Sequence, residues 1–214
     1  MLNRVLCLIQ ADQALFSEVF SAAFSEVSPA SASELSSSAS SFELSSESSS
    51  SESFESAEVL SESLIVDLSK VKEQPVSPAV AVDAACAGNP GKMEYQGVFV
   101  DFGTQPATTV QLFKSPVFEN GTNNIGEFLA IVHALAWMKQ KHVAYPIYSD
   151  SYNAQLWIKQ KKCKTKLQPN DKNAYLFELI ARAEKWLNEN AIEVPVMKWK
   201  TEIWGEIPAD FGRK

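Results

Sequence analysis

The chain has 214 residues, 45% of them hydrophobic and 21% charged, with a formal net charge of −7. That length admits one domain with added material, or two small domains. No apolar run approaches the roughly 20 residues that cross a bilayer. The three cysteines, Cys7, Cys86 and Cys163, are widely spaced without a CxxC pair, so neither a thiolate zinc site nor a disulfide framework is indicated. A reducing, cytoplasmic setting is expected.

The charge is unevenly spread. Residues 1–69 hold Arg4 against eleven acidic residues, whereas residues 70–214 hold 18 basic and 15 acidic ones. The acidic balance is therefore a property of the N-terminal third. The remainder is mildly basic and suited to an anionic polymer.

Residues 1–27 begin with an apolar stretch too short for a signal peptide, interrupted by Gln10 and Asp12. Val5, Leu6, Ile9, Leu15, Phe16, Val19, Phe20 and Phe24 make a short amphipathic helix there, marginal in water by itself. Residues 28–63 contain 18 Ser, 7 Glu and no Lys or Arg. Such a composition buries too little apolar surface to offset chain entropy, and predicts a disordered linker over 28–78. Its partner is unknown; an acidic competitor for nucleic acid and a solvated spacer both fit. Pro75 and Pro78 mark the edge of a folded domain over 79–214.

Within that domain, Ala79–Cys86 reads as a buried strand, followed by the Gly88-Asn89-Pro90-Gly91 turn. Tyr95–Phe102 and Thr108–Phe118 continue an antiparallel meander. The apolar stripe of Ile125, Phe128, Leu129, Val132, Leu135 and Ala136 predicts a helix over 124–141. A short strand over 146–148, helices over 152–162 and 172–190, and a strand over 194–199 follow. Residues 203–214 read as irregular or as a short helix. The order describes one α/β domain with a five-stranded mixed sheet flanked by helices.

Four carboxylates stand out. Asp83 lies mid-strand between Val82 and Ala84, where an unpaired charge costs several kcal/mol or neutralises itself. Glu127 matches capping-box spacing from Asn124, Asp150 matches an N-cap, and Asp210 matches a turn. Taken singly, those three have ordinary structural accounts. Taken together, Asp83 and Asp150 fall on adjacent parallel strands with Glu127 opening the helix between them. Strand ends of this kind line a crevice. An all-oxygen carboxylate set suits Mg²⁺ or Mn²⁺, and two such ions serve in-line phosphodiester chemistry.

The stretches Val82-Asp83-Ala84-Ala85-Cys86-Ala87-Gly88-Asn89-Pro90-Gly91, Gly121-Thr122-Asn123-Asn124-Ile125-Gly126-Glu127, Tyr148-Ser149-Asp150-Ser151 and Trp204-Gly205-Glu206-Ile207-Pro208-Ala209-Asp210 resemble a type 1 ribonuclease H. The last of them resembles the bacterial subgroup with a Trp-Gly-Glu-Ile-x-Ala-Asp motif. The resemblance covers residues 79–214, with the motifs in order. It implies a ribonuclease H-like fold and a metal site on Asp83, Glu127, Asp150 and Asp210. It also implies two Mg²⁺ ions, with Mn²⁺ as an alternative, and cleavage of the RNA strand of RNA–DNA hybrids to 5′-phosphate and 3′-hydroxyl ends. The protein is expected to act as a monomer, away from membranes.

Two departures accompany the resemblance. The loop before Asp210 lacks the histidine many members carry, and Glu206 is expected to take its place, perturbing the metal site so that product leaves. Residues 1–69 lack the basic and aromatic residues of a hybrid-binding domain. The resemblance further places RNA 2′-hydroxyl contacts at Cys86, Gly88, Asn89, Asn123 and Asn124, and DNA-strand phosphate contacts at Thr122, Asn124, Thr165 and Thr201. The five lysines over 159–166 add non-specific attraction or form a solvated helix end. His133 and His142 have no metal-ligand partner. The competing readings are a non-catalytic nucleic-acid binding module and a DNA-directed nuclease of the same fold.

Overall fold

The computed structural model describes residues 73–212. The expected N-terminal helix and most of the Ser/Glu-rich linker lie outside the described residues. Strands β1 (Ala79–Gly88) and β2 (Gly91–Asp101) form a hairpin across Asn89-Pro90, with Gly88 opposite Gly91. Gly88 has a φ of 94°, a backbone region that side chains disfavour, which is why glycine stands there.

Strand β3 (Thr108–Lys114) returns antiparallel to β2. The single long strand expected over 108–118 is broken. Pro116 has no N–H to donate to a ladder. Ser115 instead donates its N–H to the Tyr95 carbonyl and accepts the Tyr95 N–H on its Oγ, both at 2.8 Å. The chain resumes as β4 (Phe118–Gly121), which folds back onto the start of β2.

Helix α1 (Asn123–Lys141) then leads to β5 (Ile147–Ser149), which lies parallel to β1. Helices α2 (Tyr152–Lys159) and α3 (Ala174–Glu189) precede β6 (Val196–Lys198), parallel to β5, and the single turn α4 (Thr201–Trp204). The mixed sheet has six strands, five of them in the row β3-β2-β1-β5-β6 with β4 attached to β2. The α2 helix stops before the expected Lys162, because Lys161 turns left-handed (φ 53°) and the N–H groups of Lys161 and Lys162 bond back to Ile158 and Trp157.

Alternation along β1 divides the interior. Val80, Val82 and Ala84 face α1, in a core that also holds Phe128, Leu129, Leu176 and Leu179. Ala79 and Ala81 face the opposite way, into a cluster with Val98, Val100, Tyr148, Trp199, Ile207 and Ala209. Helix α1 is buried without a break from Ile125 to Met138, as a helix packed on several sides must be. The last residues of the expected linker are engaged with the domain: Trp204 Nε1 donates to the Glu73 carbonyl at 2.6 Å, and the Val76 N–H donates to the Tyr148 hydroxyl at 2.8 Å. Among the described residues, no helix is long and apolar enough to cross a membrane.

Candidate metal and nucleic-acid site

Strands β1 and β5 are paired only at Val80 with Ile147 and Ala81 with Tyr148. Beyond that register β1 runs on to Gly88 while β5 ends at Ser149. The crevice opens where they part, at the carboxyl end of β5. Asp83 sits on its β1 wall and Asp150 just past β5. Glu127 arrives from α1 because of its neighbour Gly126. A Cβ at Gly126 would lie 2.6 Å from Ala84 Cβ and 2.7 Å from Met93 Sδ, so only glycine lets the helix settle this close to β1.

The ordinary accounts of Glu127 and Asp150 do not hold. The N-cap of α1 is Thr122, whose side chain accepts from the Ile125 N–H, and Glu127 lies a turn further in. The N-cap of α2 is Ser151, which accepts from the Ala154 N–H at 3.2 Å. Neither carboxylate is needed to satisfy a helix end. The Glu127 side chain accepts from Ser149 Oγ at 3.2 Å and, at a longer 3.4 Å, from Asn123 Nδ2.

One carboxylate oxygen from each of Asp83, Glu127 and Asp150 lies within 4.8 Å of the others. Asp83 is 8% exposed and Glu127 1%, and neither forms an ion pair with a described residue. Burial pushes the Asp83 carboxyl up to about 7, and the Asp150 charge adds to this. Burial, followed by the Asp83 and Asp150 charges, holds Glu127 well above the usual carboxylate range. Three acids gathered in this way, with no ion pair from a described residue to the Asp83 or Glu127 carboxylate, leave a pocket of oxygen donors. That donor set fits a hard divalent cation.

The other predicted residues divide into two groups. Asp210 is exposed and outside the tight cluster, yet its charge acts on Asp83. Its loop is held by Gln96 Nε2, which donates to the Ala209 carbonyl at 2.6 Å, and by the Gly212 N–H, which donates to Asp210 Oδ2 at 2.8 Å. Glu206 is exposed on the same segment. Asn89, Thr122, Asn124 and Thr165 come together in a groove of about 690 Å³, shared with Pro90, Asn153, Trp157 and residues 164–168. Thr201, Cys86, Gly88 and Asn123 are not among its lining. Asn123 turns toward Glu127, and the Cys86 thiol is near the Gly121 carbonyl at 3.5 Å.

The lysine cluster divides likewise. Lys162 pairs with Glu184 at 2.5 Å, while Lys164 and Lys166 line the groove. His133 is buried and stacked on Phe113, with ring centroids 3.9 Å apart, far from a ligand's setting. Two residues at these sites carried no sequence assignment. Asn153 shares a helix face with Trp157, a spacing visible in the sequence. Ser149 is fully buried beside Glu127, which only the sheet register reveals.

The family model for RNase H matches residues 76–198. The chain belongs to the RNase H family. Asp83, Glu127 and Asp150 lie inside the matched span; Glu206 and Asp210 lie beyond it. Among solved structures, the chain is similar to LC11-RNase H1, isolated from compost by a metagenomic approach and solved with an RNA/DNA hybrid. That match has 19% identity, covers 58% of this chain and 86% of the other, and gives a TM-score of 0.37. RNase H1 of Halobacterium salinarum is 20% identical over 52% of this chain and 76% of its own, with a TM-score of 0.34. The N-terminal RNase H domain of rv2228c from Mycobacterium tuberculosis is 19% identical over 58% and 81%, with a TM-score of 0.33.

Proposed function

We propose that this protein hydrolyses the RNA strand of RNA–DNA hybrids with two divalent cations, Mg²⁺ or in its place Mn²⁺, leaving 5′-phosphate and 3′-hydroxyl ends. The observation that carries the proposal is the cluster of Asp83, Glu127 and the half-buried Asp150, with the buried Asp83 and Glu127 carboxyls raised toward neutrality and neither in an ion pair with a described residue, in a chain of the RNase H family. These three carboxylates would hold the ions, and Asp210 would complete the set from its exposed loop. Two divalent ions held there would supply activation of the attacking water and neutralisation of charge on the leaving oxygen. Glu206, exposed on the segment that leads to Asp210, promotes product departure, as in the bacterial subgroup that the Trp204–Asp210 motif resembles.

Substrate positioning follows from the first turn of α1, which contributes to both places. Thr122 and Asn124 line the groove, and Asn123 reaches toward Glu127. In this reading the groove, with Thr165, Lys164 and Lys166, grips the DNA strand by its phosphates, and Thr201 adds a grip from α4. The turn over 86–89, together with Asn123 and Asn124, reads the RNA 2′-hydroxyls, the groups that distinguish RNA from DNA. The unit that does this is residues 79–214, with the acidic segment before it as an appendage.

The test uses the full chain with Mg²⁺ and an RNA–DNA hybrid labelled on either strand. RNA products bearing 5′-phosphate and 3′-hydroxyl ends, with the DNA strand intact, are expected. Cutting of the DNA strand, or of duplex DNA at a comparable rate, would replace this reading with that of a DNA-directed nuclease. Hybrid binding without turnover would replace it with a binding module.

A further inference from the structure

Between the crevice carboxylates lies a side chain that the reading above does not use. Ser149 closes β5 and is fully buried. Its Oγ accepts the Ser151 N–H at 3.1 Å and donates to Glu127 Oε2 at 3.2 Å. A hydroxyl has one proton to give. With the amide of Ser151 occupying an acceptor position, that proton is directed at Glu127.

The backbone around Ser149 is held as firmly as its side chain. Its carbonyl accepts from the Trp199 N–H at 3.0 Å and from Gln155 Nε2 at 2.9 Å. Lys198 Nζ donates to the carbonyl of Asp150. The hydrogen bond from the Ser151 N–H to Ser149 Oγ closes a tight side-chain turn with Asp150 at its apex. One hydroxyl thus bonds the Glu127 carboxylate of α1 and holds the backbone turn that carries Asp150. Asn123 adds a longer contact to the other Glu127 oxygen, at 3.4 Å, and the Asp83 carboxyl is hydrogen-bonded to the same side chain.

We propose that Ser149 is a positioning residue of the metal site, its hydroxyl fixing the orientation of Glu127 and the turn that presents Asp150 toward Asp83. The proposal rests on the reading of the cluster as a metal site. Hydrogen-bond partners behind metal ligands set the ligands' orientation, and their removal lowers metal affinity by about 10- to 100-fold. A residue that only fills space is replaced by alanine with little effect on the metal. A residue that positions by its hydroxyl is replaced by threonine and not by alanine.

The experiment measures Mn²⁺ binding by calorimetry on the full chain, alongside hybrid KM at saturating metal and metal-free thermal stability. Ser149→Ala is expected to bind Mn²⁺ about 10- to 100-fold more weakly, with hybrid KM unchanged. Ser149→Thr is expected to stay within about threefold of the parent chain, the part of the loss that the retained hydroxyl prevents. Unchanged affinity in Ser149→Ala, or equal losses in Ala and Thr variants, overturns the proposal. If the alanine variant does not fold, Ser149→Cys keeps the volume with a poor donor; weakened binding supports the proposal, and parental affinity overturns it. Asp83→Asn is the control for the underlying reading. A parent chain that takes up no Mn²⁺ removes the metal site and this proposal together, whereas a parent that binds beside an unaffected Ser149→Ala removes this proposal alone.

Discussion

Asp83 and Glu127 are 8% and 1% exposed, carried on a central strand and on the first turns of a buried helix. Asp210 and Glu206 face solvent on the segment after α4, tied to the sheet by the bond from Gln96 to the Ala209 carbonyl. The first pair is fixed by packing, and burial without an ion pair raises both carboxyls. The second pair has its side chains in solvent, on a segment anchored by the buried Ile207 and Ala209. In the proposed reading, a site built from both would have a rigid, buried half that holds the cations and an adjustable, solvent-facing half.

The largest effects are expected in the rigid half. Asp83→Asn, Glu127→Gln or Asp150→Asn should each reduce hybrid cleavage by on the order of a thousandfold or more, as removal of one member of a tightly coupled set does. Steady-state cleavage assays check this; substantial residual activity in any of the three would break the contrast.

The next effect is on stability without metal. The Asp83 carboxyl is pushed up to about 7, first by burial and then by Asp150, while in the unfolded chain it titrates near its usual value of about 3.9. The unfolded chain therefore ionises first, and the folded state loses stability as pH rises from about 4 through about 7, by on the order of a few kcal/mol. Denaturant titrations at pH 5 and pH 8 should show Asp83→Asn gaining on the parent chain at the higher pH, with Mg²⁺ erasing the difference. His133 acts with the opposite sign. Burial lowers it to about 3, so its contribution is lost as pH falls from about 6.5 through about 3. Comparing the parent with Asp83→Asn separates the two.

In the adjustable half, Asp210→Asn should lose about 10- to 100-fold in turnover, the range for weakened metal support, with partial recovery at higher Mn²⁺. Its failure to recover would place Asp210 with the rigid set. The smallest effects belong to the groove. Lys164→Glu with Lys166→Glu should raise hybrid KM and flatten its dependence on log salt by about 0.9 for each phosphate that is no longer neutralised, the duplex value. An unchanged slope would assign both lysines to the solvated surface.

Much of this was legible from the chain alone, for local reasons. Asp83 among Val80, Val82 and Ala84 announces a charge in a buried strand, and the order of elements brings Glu127 and Asp150 near it. The helix caps were harder to place. Thr122-Asn123-Asn124 and Ser149-Asp150-Ser151 each offer several capping side chains, and only backbone geometry selects Thr122 and Ser151. The break at Pro116 depends on Ser115 finding Tyr95, twenty residues away in the chain. Lys162 could not be separated from its neighbours without the partner Glu184, on a different helix. Ser149 is silent in the sequence, because its importance comes from the sheet register that sets it beside Glu127.

Metal-dependent hydrolysis of RNA paired to DNA by the carboxylate set is tested most directly by comparing the full chain and Asp83→Asn on matched RNA–DNA hybrid and DNA duplex, with Mg²⁺ and with a chelator. RNA-strand cleavage of the hybrid is expected from the parent chain with Mg²⁺ alone, and none from Asp83→Asn. Cleavage that persists in Asp83→Asn or in chelator would contradict it.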